Sequence, residues 1–151
     1  MKRLFSHPFV HLMIRLILGG LFIYAAVYKI ADPYQFANDI RNYDLLPYYL
    51  VNLMALFLPW LELYCGLFLI VGLFVRAGST LIGLMLVVFI IAIISAILRG
   101  LDIECGCYGG MATASRVGLK KVLEDFILLA MAFYLFWNQA PQWAIDDWFK
   151  D

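Results

Sequence analysis

The segment ECGCYGG, residues 104–110, sets two thiols one residue apart among glycines, in a chain that is otherwise largely apolar. Cys105 and Cys107 can close a small disulfide ring whose span departs from relaxed bridge geometry, and strain raises a disulfide's reduction potential. Such a bond is a labile oxidant and not a staple. Gly106, Gly109 and Gly110 supply the backbone freedom that so tight a ring needs. Two thiols make half of a tetrahedral metal site. The two histidines, His7 and His11, fall near the opposite membrane face, so the pattern is read as redox chemistry and not as zinc.

The third cysteine, Cys65, sits in PWLELYCGLFL three residues after Glu62, on nearly the same helical face. A lone buried cysteine is ordinarily a small hydrophobe. A carboxyl group inside an apolar run is a functional candidate by default, with a structural ion pair as its plain alternative. Arg15, Gly19, Phe22, Ala26 and Lys29 fall on one stripe at helical spacing, so both cations face the same way. Counting about 1.5 Å per residue from the run centres sets Arg15 at the depth of Cys65, where it would pair with Glu62 or favour a thiolate. Lys29 lies nearer the thiol loop, where it either snorkels or reaches Asp125, one turn inside the last apolar run. Lys121 and Asp125, like Lys120 and Glu124, stand four residues apart as helix-surface pairs do. Glu62, Arg15, Lys29 and Asp125 are thus the candidate lining of an inner polar site and the candidate cofactor-binding residues, with Lys29 placed to stabilise the reduced ring oxygen of a membrane quinone.

The elements that must position these groups are legible from hydropathy. The 151 residues are 65% hydrophobic and 15% charged, with a mean hydropathy of +0.88, too apolar for a solvated globule, so the chain reads as an integral membrane protein. Zero formal net charge and the lack of a basic stripe speak against nucleic-acid binding. Four apolar runs, 9–31, 50–75, 78–98 and 119–137, are long enough to cross the hydrocarbon core as helices. None alternates as a membrane strand would. The expectation is an all-α fold: one domain over 1–151, a four-helix transmembrane bundle with a short interfacial helix and a Cys-containing loop between spans three and four. The first run follows Met-Lys-Arg but lacks a small-residue cleavage site, so it is read as a retained span.

Between the first two runs, Asp32 suits an N-cap, Pro33 the first helical position, and Phe36, Ile40 and Tyr43 one face of a short interfacial helix. The connection near Arg76 must be tight. With an even number of spans the thiol loop and the interfacial helix lie on one side and form a joint lid. The lysine and arginine tally would put that side in the cytoplasm. Redox logic puts it outside, where disulfides persist, and the expected setting is a bacterial inner membrane with the loop beyond the cytoplasm.

The ordered combination R-x3-G-G-x-F, DP-x2-F-x3-I-x2-Y-x-LLP, LPWLE-x2-CGL and CGCYG covers nearly the whole chain. It resembles the MauE/DoxX group of redox-associated membrane proteins. The resemblance implies a four-helix membrane bundle in thiol redox chemistry beside a thioredoxin-like periplasmic partner, with Cys105 and Cys107 as the loop pair and Glu62 as the carboxylate of the proline-tryptophan span. Tyr108 stands where phenylalanine is common in such loops.

Together these readings give a membrane thiol:disulfide oxidoreductase. A partner thiolate attacks the Cys105–Cys107 disulfide, the second loop cysteine helps to resolve the mixed disulfide, and electrons pass to a membrane quinone. Cys65, on the order of 15–20 Å below the lid by helical rise, joins as a third redox thiol if the loop re-enters the bundle and is packing if it does not. The alternatives are a soft-metal-ion binding or transport protein that uses the three thiols, and a non-catalytic scaffold for a redox partner.

Overall fold

The computed structural model describes residues 8–100 and 119–138, and these are helical in five pieces: α1 (Pro8–Ala31), α2 (Pro33–Asn42), α3 (Tyr48–Val71), α4 (Val75–Leu98) and α5 (Leu119–Trp137). No strand occurs among the described residues. Among the described residues, three helices are long and apolar enough to cross a membrane: Phe9–Ala31, Tyr48–Val71 and Val75–Leu98. α5 is apolar only in its later turns, because Lys120, Lys121, Glu124 and Asp125 occupy its beginning.

The expected short helix forms as drawn. Asp32 caps α2 by accepting a hydrogen bond from the Gln35 N–H at 3.0 Å, and Pro33 opens it without wasting a donor. Phe36 is buried and Ile40 and Tyr43 are half-buried, so the expected face is the packed one.

The boundary between the second and third apolar runs differs from expectation. α3 ends at Val71, four residues earlier than hydropathy placed it, and α4 starts at Val75 rather than at 78. The turn is made by Gly72, left-handed at φ 81°, and Phe74, left-handed at φ 49°. The N–H groups of Gly72 and Leu73 both donate to the Phe68 carbonyl, at 2.9 and 3.0 Å. The residues of this turn are themselves mostly apolar, so hydropathy ran through a reversal that backbone geometry makes.

Packing follows the smallest residues. α1 packs most extensively on α3, and α4 on α5. α1 and α3 run antiparallel: Gly19 lies against Gly66, and a Cβ built on either would stand 2.8 Å from the other's carbonyl oxygen. α4 and α5 are antiparallel too, with Gly83 near Leu129 and the Arg76 guanidinium 5.0 Å from the Phe136 ring centre. The core holds Leu18, Phe22, Cys65, Leu69, Ile82 and Leu128. Phe57, Val88, Ile91 and Phe133 are each more than half exposed on the outer surface, an apolar exterior suited to lipid.

Candidate functional site

All five helices converge on one ammonium group. Lys29, in the last turn of α1, is 4% exposed and donates to both oxygens of Glu62 on α3, at 2.7 and 2.9 Å. Its nitrogen lies 4.8 Å from the centre of the Phe36 ring on α2 and 5.0 Å from that of Phe89 on α4, both within cation–π range. Asp125 of α5 joins Lys29 and Glu62 in lining a cavity of about 30 Å³, with Leu21, Phe22, Ala25, Leu86, Phe89 and Leu128 as its apolar walls. Helical side chains lean toward the N-terminus. That lean carries the Lys29 ammonium down into the bundle, opposite to the snorkelling that its position near a helix end allowed.

The stripe expected on α1 is buried throughout: Arg15, Gly19, Phe22, Ala26 and Lys29 all face the bundle. Its two cations do different jobs. The expectation that Arg15 pairs with Glu62 is corrected: Arg15 donates from Nε to the Leu69 carbonyl at 2.8 Å and from Nη2 to the Ile70 carbonyl at 3.2 Å. It caps the C-terminal end of α3, whose last carbonyls have no partner within the helix. A Cβ at Gly72 would collide with this guanidinium. The expected equal depth of Arg15 and Cys65 is corrected too: Arg15 lies level with Leu69, Ile70 and Gly72, about a turn or more beyond Cys65. Glu62 lies one turn from Cys65 in the other direction, nearer the α2 end, where the long lysine side chain reaches it.

On α5, Lys121 donates to Glu124 at 2.9 Å and stands 3.9 Å from Asp125 Oδ1. Lys120 is exposed. Lys121 is 2% exposed, so a pair read as surface decoration begins inside. The Asp125 Oδ2 atom is buried and has no hydrogen-bond partner among the described residues. Close by, burial and the Asp39 carboxylate push the Tyr43 phenol up to about 12, so it stays neutral at physiological pH.

Cys65 is free, 2% exposed and part of the core beside Leu18 and Leu69. It shares the buried face of α3 with Glu62. Cys105 and Cys107 lie outside the described residues. The last described residues before that segment are fastened to the α2 end: Arg99 donates to the Tyr43 carbonyl at 2.9 Å and pairs with Asp44 at 3.3 Å.

Sequence reasoning missed Phe89, Asp39 and the burial of His11. Asp39, three residues after Phe36 on the same helix face, carried a signal that periodicity could have caught. Phe89 carried none, being one apolar residue in a wholly apolar helix.

Residues 7–138 match the family model of the methylamine utilisation protein MauE. Among curated proteins, the methylamine utilization protein MauE of Methylophilus methylotrophus is 31% identical over 136 residues, covering 89% of this chain and 72% of the relative. That of Paracoccus versutus is 31% identical over 134 residues, with 87% and 71% covered. That of Methylorubrum extorquens is 33% identical over 141 residues, with 89% and 72% covered. No solved structure matches the chain.

Proposed function

Because the chain belongs to the family of the methylamine utilisation protein MauE, we propose that it is a membrane thiol:disulfide oxidoreductase serving methylamine utilisation, with Cys105 and Cys107 as its redox pair. One observation carries the reading furthest. The helices on either side of the CGCYG segment enter and leave at the end of the bundle where Lys29, Glu62, Asp125 and Lys121 are gathered. Charge and proton donors therefore lie near the described ends of the two helices that flank the thiol segment.

In the proposed cycle a thiolate of an extracytoplasmic thioredoxin-like partner attacks one sulfur of the Cys105–Cys107 disulfide. That S–S bond breaks, a mixed disulfide forms and the other loop sulfur leaves as thiolate. The partner's second thiolate then attacks the mixed disulfide and departs oxidised. The loop keeps the electron pair as two thiols after taking up two protons. A membrane quinone, when bound, supplies a two-electron, two-proton sink that returns the pair to the disulfide. The cavity lined by Lys29, Glu62 and Asp125 measures about 30 Å³, so these residues would meet a quinone by its ring oxygen at the cavity mouth rather than enclose its ring. A groove of about 300 Å³ between α2 and α3 is roomier, and Asn38, Arg41, Tyr48 and Asn52 in its lining could hold a quinone by its ring oxygens. In this reading α5, ~28 Å long at 1.5 Å per residue over its 19 residues, is a fourth crossing, and the loop faces away from the cytoplasm.

Thiols counted by alkylation before and after reduction should differ by two, and Cys105→Ser or Cys107→Ser should abolish partner oxidation while the bundle stays folded. A double-serine variant that oxidises its partner at the normal rate would remove the assignment. Stoichiometric metal on the reduced thiols would replace it with the soft-metal reading.

A further inference from the structure

The buried charges around Lys29 do not balance. Lys29 is satisfied by Glu62 at 2.7 and 2.9 Å, and Lys121 by Glu124 at 2.9 Å. Asp125 is the remainder. It is 3% exposed, its Oδ1 is 3.9 Å from Lys121, and its Oδ2 has no hydrogen-bond partner among the described residues. The groups gathered near it are Lys29 from α1, Asp39 and Tyr43 from the α2 end, Glu62 from α3, and Lys121 and Glu124 from α5 itself; α4 contributes Leu86 and Phe89 to the cavity wall and no charge. Among the described residues, the charges acting on Asp125 are the ammonium groups of Lys121 and Lys29, each already hydrogen-bonded to another carboxylate, and the half-exposed Glu124. An ionised carboxylate with an unmatched oxygen in this place bears a desolvation cost that the 3.9 Å approach of Lys121 to its other oxygen offsets only in part.

A proton removes the conflict. On Oδ2 it makes the carboxyl neutral and turns the orphan acceptor into a donor. The cavity that Asp125 lines measures about 30 Å³, and a water needs roughly 10–15 Å³ of such space with two or more polar partners. Lys29, Glu62 and Asp125 supply those partners.

We propose that the cavity bounded by Lys29, Glu62 and Asp125 is a proton-exchange site, in which Asp125 holds a proton on Oδ2 and passes it to an internal water. Release leaves the aspartate anion facing Lys29 and Lys121, and sends the proton through the water toward the loop end; uptake reverses both. The Lys29–Glu62 pair sets the balance, because Glu62 occupies the ammonium that would otherwise stabilise ionised Asp125. This inference stands on the geometry of described residues and does not depend on the thiol cycle.

Infrared spectra of the purified full-length protein in lipid test it. At neutral pH a protonated-carboxyl C=O band should be present and should shift in heavy water. Growth on aspartate with a heavy carboxyl carbon isotope should move the band, whereas labelled glutamate should not, which assigns it without any mutation. Asp125→Asn should abolish it. Glu62→Gln, which leaves Asp125 in place and frees Lys29, should also abolish it. The absence of the band in the unmodified protein, a shift with labelled glutamate, or a band unchanged in Asp125→Asn or in Glu62→Gln would overturn the proposal.

Discussion

Lys29 is tolerated 4% exposed because two kinds of partner replace its water: two carboxylate oxygens and two aromatic faces. Removing one member of a buried pair leaves the other charge uncompensated, which costs about 3–5 kcal/mol, whereas replacing both by apolar groups is often close to neutral. Glu62→Gln and Lys29→Met should each lower thermal stability sharply, and the Lys29→Met/Glu62→Leu double variant should recover much of that loss. Additive losses in a double-mutant cycle would show that the two side chains do not act as a unit. Arg15 makes a contrasting case. Its partners are carbonyls at a helix end, so Glu62→Gln should leave that cap intact.

Two glycines set the spacing of α1 and α3. With Cβ positions 2.8 Å from a backbone oxygen at both Gly19 and Gly66, neither helix has room for a side chain there without moving apart. Gly66→Val should therefore be a costly substitution, on the order of 1–3 kcal/mol for overpacking. The α3–α4 turn offers a second test. Gly72 has φ 81° and faces the Arg15 guanidinium, so Gly72→Ala should combine backbone strain with loss of the α3 cap. A neighbouring exposed substitution such as Val71→Ala should stay within about 0.5 kcal/mol. Thermal unfolding of both variants in one detergent would check the difference, and equal midpoints would refute the strain argument.

The molecule as a whole is an integral membrane protein of the MauE family. Its outer surface is largely apolar, and among the described residues its buried charges are gathered near the α2 end except for Arg15 and His11 toward the other. Cys65, 2% exposed in the core, should resist a maleimide in the folded protein and react only after denaturation. An impermeant maleimide on intact cells should label reduced Cys105 or Cys107. Labelling of those two only after the inner membrane is opened would reverse the proposed orientation.

Helix content, the cap of α2 by Asp32 and the inward stripe from Arg15 to Lys29 were legible in the sequence because each rests on local spacing, and a helix repeats its geometry every few residues. Which charge meets which was not. Arg15 and Lys29 are both long cations on one face, and only the antiparallel stagger at Gly19 and Gly66 decides that the first caps a helix end while the second meets Glu62. The break at Gly72 was hidden in the same way, since apolar residues continue around the reversal and only backbone angles reveal it. Spacing along a chain determines what one helix presents. How far neighbouring helices slide past each other is a property of their packing, and it settled the chemistry of this bundle's centre.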